Sequence, residues 1–183
     1  METPEKLLKE VEQELLRARS LFKPIHSPHE GLGVVMEEFD LYTDGACRVS
    51  NPGVCSSSWV LYDGDKEVKS ASIYLGPELH TNNFAEYFAL VDALEYLYTN
   101  NIRNVTIHCD SELVVNQVNQ EWQINEPYLR KMAAKCYGLL MRGAHVLKHI
   151  KGHAGDTGNE RADELCNAML DIHMEEYNGS KKA

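Results

Sequence analysis

The chain is predicted to be an α/β protein built on a mixed sheet, and three observations predict it. Between Phe39 and Leu75, three β-type stretches follow one another with only short turns between them, the pattern of an antiparallel meander. From Thr81 onward, helical and strand patterns alternate, which implies parallel strands joined by right-handed crossovers. A length of 183 residues suits one domain with a full core plus a modest extension.

The elements follow in order. Residues 1–22 carry an amphipathic helical pattern in which Leu7, Leu8, Val11, Leu15, Leu16 and Leu21 stand among charges, and Lys23-Pro24 ends it. The segment His26–Gly33 reads as a loop. Residues 1–35 are therefore expected to be an N-terminal helical extension and linker, 36–175 the main domain, and 176–183 a disordered tail. Phe39–Asp44 alternates as a strand and leads through small residues to the turn Asn51-Pro52-Gly53. Strands at 56–62 and 68–75 flank the turn Asp63-Gly64-Asp65. A helix over 81–99 has Thr81 or Asn82 as its N-cap. A strand at 104–110 ends at Asp110, and Ser111 caps a helix over 111–120. A helix at 126–142, a strand at 144–151 and a helix at 157–173, opened by a capping box from Thr157 to Glu160, complete the pattern.

Four acids stand where the pattern turns them toward apolar neighbours. Glu86 heads a helical stripe of Ala89, Leu90, Ala93 and Leu97, and Asp163 shares a face with Cys166 and Leu170. Asp44 closes the first strand. Asp110 ends the fourth and opens a helix, the usual place for a ligand site in an α/β sheet. Buried carboxylates need partners, and several converging on one point call for divalent cations.

These acids lie in an ordered set of short motifs: Thr43-Asp44-Gly45-Ala46, Asn51-Pro52-Gly53, Thr81-Asn82-Asn83, Ala85-Glu86, Asp110-Ser111, Lys151-Gly152-His153-Ala154-Gly155 and Asn159-Glu160-Arg161-Ala162-Asp163. On them, the chain from about Phe39 to Met169 resembles type 1 ribonuclease H. The resemblance implies a ribonuclease H-like fold, a five-stranded mixed sheet of order 3-2-1-4-5 flanked by helices. It implies endonucleolytic cleavage of the RNA strand of RNA/DNA hybrids, leaving 5′-phosphate and 3′-hydroxyl ends. Asp44, Glu86, Asp110 and Asp163 would hold two Mg2+ ions, with Mn2+ able to substitute, and His153 would assist proton transfer or product departure. Gly45, Ala46, Cys47, Asn51, Asn82, Asn83 and Glu112 take positions that contact the hybrid in the family. Glu112 stands where many members have Gln. Residues 121–128 are short and lack the basic helix of many bacterial members, so the chain looks like the compact form.

Composition bounds the rest. No apolar run approaches the roughly 18–20 residues of a membrane span, and the N-terminal stretch reads as too charged for a signal peptide. Five cysteines without a CxxC pair suggest reduced thiols in a cytoplasmic protein. A formal charge of −10 points to a small basic surface, with Arg48, Lys148, Lys151 and Arg161 as its candidates. A monomer is expected. The stretch from Ser27 to Glu38 resembles the opening of some all-helical nucleotide pyrophosphohydrolases, but their further acidic helices do not follow. Competing readings are a non-catalytic hybrid-binding module and a nuclease of the same fold acting on double-stranded RNA; retention of all four acids disfavours the first.

Overall fold

A computed structural model of the chain describes residues 39–76, 80–152 and 155–180, with side chains of the last helix described as far as Met174. The expected N-terminal helix, its linker, His153 and residues 181–183 lie outside the described residues. Five strands run in the order β3-β2-β1-β4-β5, as expected from the resemblance. They are β1 (Phe39–Arg48), β2 (Val54–Asp63), β3 (Lys66–Tyr74), β4 (Thr106–Cys109) and β5 (Val146–His149). The helices are α1 (Asn82–Thr99), α2 (Glu112–Val118), α3 (Pro127–Gly143) and α4 (Thr157–Ser180). Among the described residues, no helix is long and apolar enough to cross a membrane.

β1 pairs antiparallel with β2 and parallel with β4, so it carries both halves of the mixed sheet. It continues four residues past the expected end at Asp44, because Gly45, Ala46 and Cys47 go on pairing with Ser57, Ser56 and Cys55. The parallel ladder with β4, by contrast, stops at Thr43 opposite Cys109. Asp44 and Asp110 are the next residues on the two strands. Asp44 is therefore inside β1 but at the end of its parallel pairing.

The apolar core lies on one face, where Leu41, Trp59, Leu61 and Ile107 meet Leu90, Leu94 and Leu97 of α1, Val114 of α2 and Leu129 of α3. The opposite face is covered by α4. Three consecutive serines of β2 tie the sheet to both layers, as the period of two along a strand requires. Ser56 and Ser58 donate to the Cys166 and Ala162 carbonyls of α4 at 2.8 and 2.6 Å. Ser57 donates to the Ala85 carbonyl of α1 at 2.7 Å. Small side chains let the helices come close, and the helix carbonyls satisfy the buried hydroxyls.

Local signals place most helix starts. Thr81 Oγ1 accepts from the Phe84 N–H at 3.2 Å, and Ser111 Oγ from that of Val114 at 3.5 Å. For α4 the cap is Asp156, not the expected box from Thr157: its carboxylate accepts from the Gly158 and Asn159 N–H groups at 3.0 and 3.3 Å. α4 continues to Ser180, into the stretch expected as tail. The cysteines also differ from expectation. Cys47 and Cys55 face each other across β1 and β2 and form a disulfide, while Cys109, Cys136 and Cys166 are free and buried.

Gly45 is where the first strand and the helix carrying Glu86 meet backbone to backbone. A Cβ there would lie 2.2 Å from the Glu86 backbone nitrogen and 2.4 Å from the Ala85 carbonyl carbon, and backbone has no rotamer with which to yield. Gly45→Ala is expected to destabilise by about 3 kcal/mol or more, at the upper end of overpacking penalties, which is a fall of roughly 6–12 °C in melting temperature. An unchanged thermal melt would show that α1 is not seated against β1 in this way.

Candidate active site

Each acid is delivered by a different element. Asp44 comes from β1, where its neighbour Thr43 is buried between layers. Asp110 follows β4 directly. Glu86 comes from the second turn of α1, aimed at the sheet by the stripe Ala89, Leu90 and Ala93, all fully buried. Asp44, Glu86 and Asp110 each offer a carboxylate oxygen, and these atoms lie within 4.8 Å of one another. Asp44 retains 8% and Glu86 5% of its exposed surface.

Asp163 is outside that three-residue group. Its Oδ1 accepts from Asn167 Nδ2 at 2.8 Å. Its charge nevertheless bears on Asp44, adding to the effects that raise the Asp44 pKa. So three of the four expected acids are brought together, and the fourth stands beside them on α4.

The electrostatics are those of a site crowded with like charge. Burial first, then the charges of Asp110 and Asp163, push the Asp44 carboxyl up to about 7. Burial, Asp44 and Asp110 raise Glu86 well above the usual carboxylate range. The Gly45 N–H opposes this by hydrogen bonding both carboxylates, and Asn82 assists at Glu86. Those bonds leave two acceptors over: Asp44 Oδ2 and Glu86 Oε2 are buried and have no hydrogen-bond partner. Orphaned anionic oxygens of this kind are costly in a folded protein. An all-oxygen, multiply anionic donor set fits a hard divalent cation, Mg2+ or Mn2+, better than a soft one.

Neighbouring residues fix the third acid. Asn159, in the first turn of α4, is buried and donates from Nδ2 to Asp110 Oδ2 at 3.4 Å. Gly152 leaves room for it, since a Cβ there would stand 2.9 Å from Asp110 Oδ2. Asn159 is a site residue that the sequence reading missed, although it lies four positions before Asp163 on the same helical face. The start of α4 is itself clamped. Tyr42 hydrogen-bonds to Asp156, its ring lies so close to Gly158 that a Cβ would fall 2.3 Å from it, and His108 stacks on it at 4.6 Å. His108 in turn bonds Asp40 at 2.6 Å.

The residues expected to meet nucleic acid gather near the entry to α1. Asn51 Oδ1 accepts from the Asn82 backbone N–H at 3.0 Å, and Gly53 and His80 exchange backbone bonds at 2.8 and 2.9 Å. The turn after β1 is thereby fastened to the helix that carries Glu86, with Asn83 in its first turn. Ala46 and Cys47 continue β1 past Asp44, and Glu112 is exposed in the first turn of α2. The expected basic surface is partly spent inside the protein. Arg48 pairs with Asp171 and Asn167, and Arg161 with Glu67 at 3.1 Å and Glu164 at 3.3 Å. Among the described residues, Lys148 and Lys151 make no ion pair.

Sheet order and acid cluster together define the class, an α/β protein of the ribonuclease H-like fold with a cluster of acids beside its central strands. Residues 36–170 match the family model of RNase H. A ribonuclease H of Alcanivorax borkumensis is 36% identical over 148 residues, covering 74% of this chain and 93% of that protein. Ribonuclease HI of Halobacterium salinarum is 37% identical over 131 residues, covering 71% and 63%. Among solved structures, RNase H1 from H. salinarum superposes with a TM-score of 0.65 at 35% identity, covering 74% of this chain and 98% of that one. LC11-RNase H1 in complex with RNA/DNA hybrid gives 0.66 at 33% identity, covering 75% and 99%. The chain belongs to the ribonuclease H family and is an enzyme of that family, one whose members are generally metal-dependent.

The raised Asp44 pKa has a definite sign. Between the unfolded value near 3.8 and the folded value of about 7, the native state holds the extra proton. Without metal, stability is therefore fully present below pH 4 as far as this group is concerned, and falls as pH rises toward 7. In chelator, Asp44→Asn is expected to flatten that fall and to melt higher than the parent at pH 8, by an amount of order a few kcal/mol. Thermal melts across pH 4–8 check this; a parent whose stability rises through that window, with Asp44→Asn less stable at pH 8, contradicts it.

Proposed function

We propose that this chain hydrolyses the RNA strand of RNA/DNA hybrids endonucleolytically, using two Mg2+ ions and leaving 5′-phosphate and 3′-hydroxyl ends. The observation that carries the proposal is the pair of buried, partnerless oxygens, Asp44 Oδ2 and Glu86 Oε2, facing a third carboxylate. Asp44, Glu86 and Asp110 would hold the ion that activates the attacking water, and Asp163 with Asp44 the ion that stabilises the leaving group. Bound there, the ions supply a water of lowered pKa and charge stabilisation at the leaving 3′-oxygen.

The chain's own groups do the positioning. The Gly45 N–H holds the Asp44 and Glu86 carboxylates, and Asn159 holds Asp110. His153, three positions before Asp156 in the sequence, would carry a proton at the departing oxygen, a task suited to a group titrating near neutrality. Hybrid specificity would come from Gly45, Ala46, Cys47, Asn51, Asn82, Asn83 and Glu112. They meet sugars and phosphates near the 2′-hydroxyl, which distinguishes the two strands. LC11-RNase H1, which shares the fold at 33% identity, was solved with such a hybrid, and this supports the substrate. Glu112 can only accept from a 2′-hydroxyl, whereas the Gln of many relatives can also donate. The proposal also takes the chain to act in the cytoplasm, where its substrate occurs, and as a monomer.

Asp110→Asn is expected to lower hybrid cleavage by roughly 10²-fold or more, the scale of losing one preorganised electrostatic group, with an unchanged circular dichroism spectrum. End-labelled RNA/DNA hybrid, double-stranded RNA, single-stranded RNA and double-stranded DNA in Mg2+ provide the assay. Cleavage by the variant at the parental rate, or equal cleavage of double-stranded RNA by the parent, sinks the proposal.

A further inference from the structure

A cavity of about 380 Å³ opens between α2, α3 and the connection joining them. It is separate from the acid cluster and within the roughly 300–1,000 Å³ typical of small-ligand sites. Its walls are specific. Trp122 and Tyr137 supply two aromatic faces, and Val118, Ile124 and Ala133 an apolar floor. Gln120, Gln123 and Asn125 stand exposed at the rim, and their side-chain amides make no hydrogen bond among the described residues.

The cavity carries one cation and no acid. Arg130 is oriented by carbonyls: Nε donates to that of Ile124 at 2.6 Å and a terminal nitrogen to that of Asn125 at 3.3 Å. Bonds to neutral carbonyls leave the guanidinium charge in place, able to meet the phosphate of a nucleotide. A neutral planar ring with hydrogen-bonding edges would find both stacking surface and amides that donate and accept. The site is preformed. The Glu121 and Trp122 N–H groups both donate to the Asn116 carbonyl, at 2.8 and 3.1 Å. Gln117 Nε2 donates to the Gln123 carbonyl at 3.1 Å, and Gln117 Oε1 accepts from Tyr87 of α1 at 2.9 Å.

Its place relative to the acids sets the ligand's source. α2 starts two residues after Asp110 and ends at Val118 in the cavity wall. One short helix thus joins the acid cluster to the cavity, so a strand held at the acids is the nearest source of a ligand.

We propose that this cavity is a nucleobase pocket, which stacks an unpaired base of the substrate against Trp122 and Tyr137. The enzyme would thereby favour hybrids that end in, or adjoin, a single strand. The inference rests on the hybrid-cleaving reading, and a binding assay keeps the two separable. The full chain is used in chelator, where no cleavage occurs. Trp59 is 2% and Trp122 47% exposed, so ligand-dependent change in tryptophan emission reports on Trp122. The probes are adenosine alone, a blunt RNA/DNA hybrid, the same hybrid with a four-nucleotide DNA overhang, and that overhang made abasic.

The expected result is quenching by adenosine at millimolar concentration, and about tenfold tighter binding of the overhang hybrid than of the blunt one. The abasic overhang should bind like the blunt hybrid. Trp122→Ala should lose the overhang preference, and Trp122→Phe, followed by anisotropy of labelled hybrid, should keep it. Three results overturn the inference: equal affinity for base-bearing and abasic overhangs, retention of the preference by Trp122→Ala, or Trp122 emission that is already buried in character and indifferent to every probe, which means another part of the chain fills the cavity. Failure of the blunt hybrid to bind, with adenosine still quenching, counts against the hybrid substrate and not against the pocket.

Discussion

Like charge held close together in a nearly dry place is the constraint on which this structure turns. Asp44, Glu86 and Asp110 would repel one another apart if they were free to move, yet their oxygens lie within 4.8 Å. What holds them is not an attraction among themselves but the packing of the elements that carry them. β1 and β4 are locked by the parallel ladder that ends at Thr43 and Cys109. α1 is driven onto the sheet by Leu90, Leu94 and Leu97, all fully buried. The hydrophobic burial of the core, at about 25 cal/mol per Å², thus sustains the electrostatic strain of the site.

That arrangement demands small residues where backbone meets backbone. Gly45 lets the start of α1 touch β1, and the serines of β2 let α1 and α4 approach from opposite faces while giving their hydroxyls to helix carbonyls. Gly158 does the same under the Tyr42 ring. The cap of α4 by Asp156 orients Asn159 toward Asp110, so a turn late in the sequence helps shape the acid that follows β4. Metal affinity and fold stability are coupled through these contacts, because a cation relieves the repulsion that the core otherwise bears.

Features encoded by neighbours in the chain were legible in the sequence. Thr81 and Ser111 announced their helices because a cap acts over three residues, and Glu86 stood out because an acid at the head of an apolar stripe has only one direction to face. The parallel order of the strands came instead from resemblance, since alternation of helix and strand does not by itself specify which strand is central. The misses share a cause. Ending β1 at Asp44 hid the pairing of Cys47 with Cys55, which depends on register between strands. Tracing the α4 stripe only forward from Asp163 left Asn159 unnoticed. The cavity between α2 and α3 exists because a connection folds back onto the Asn116 carbonyl, and no periodicity encodes such a fold.

The claim most open to direct trial is that the partnerless oxygens of Asp44 and Glu86 are metal ligands. Anomalous diffraction from crystals soaked in Mn2+ measures this without reference to catalysis. The account predicts a peak in contact with Asp44 Oδ2 and Glu86 Oε2, and the same peak lost or displaced in Glu86→Gln. Peaks only at surface acids, with Asp44 and Glu86 protonated and bonded to each other, would contradict it.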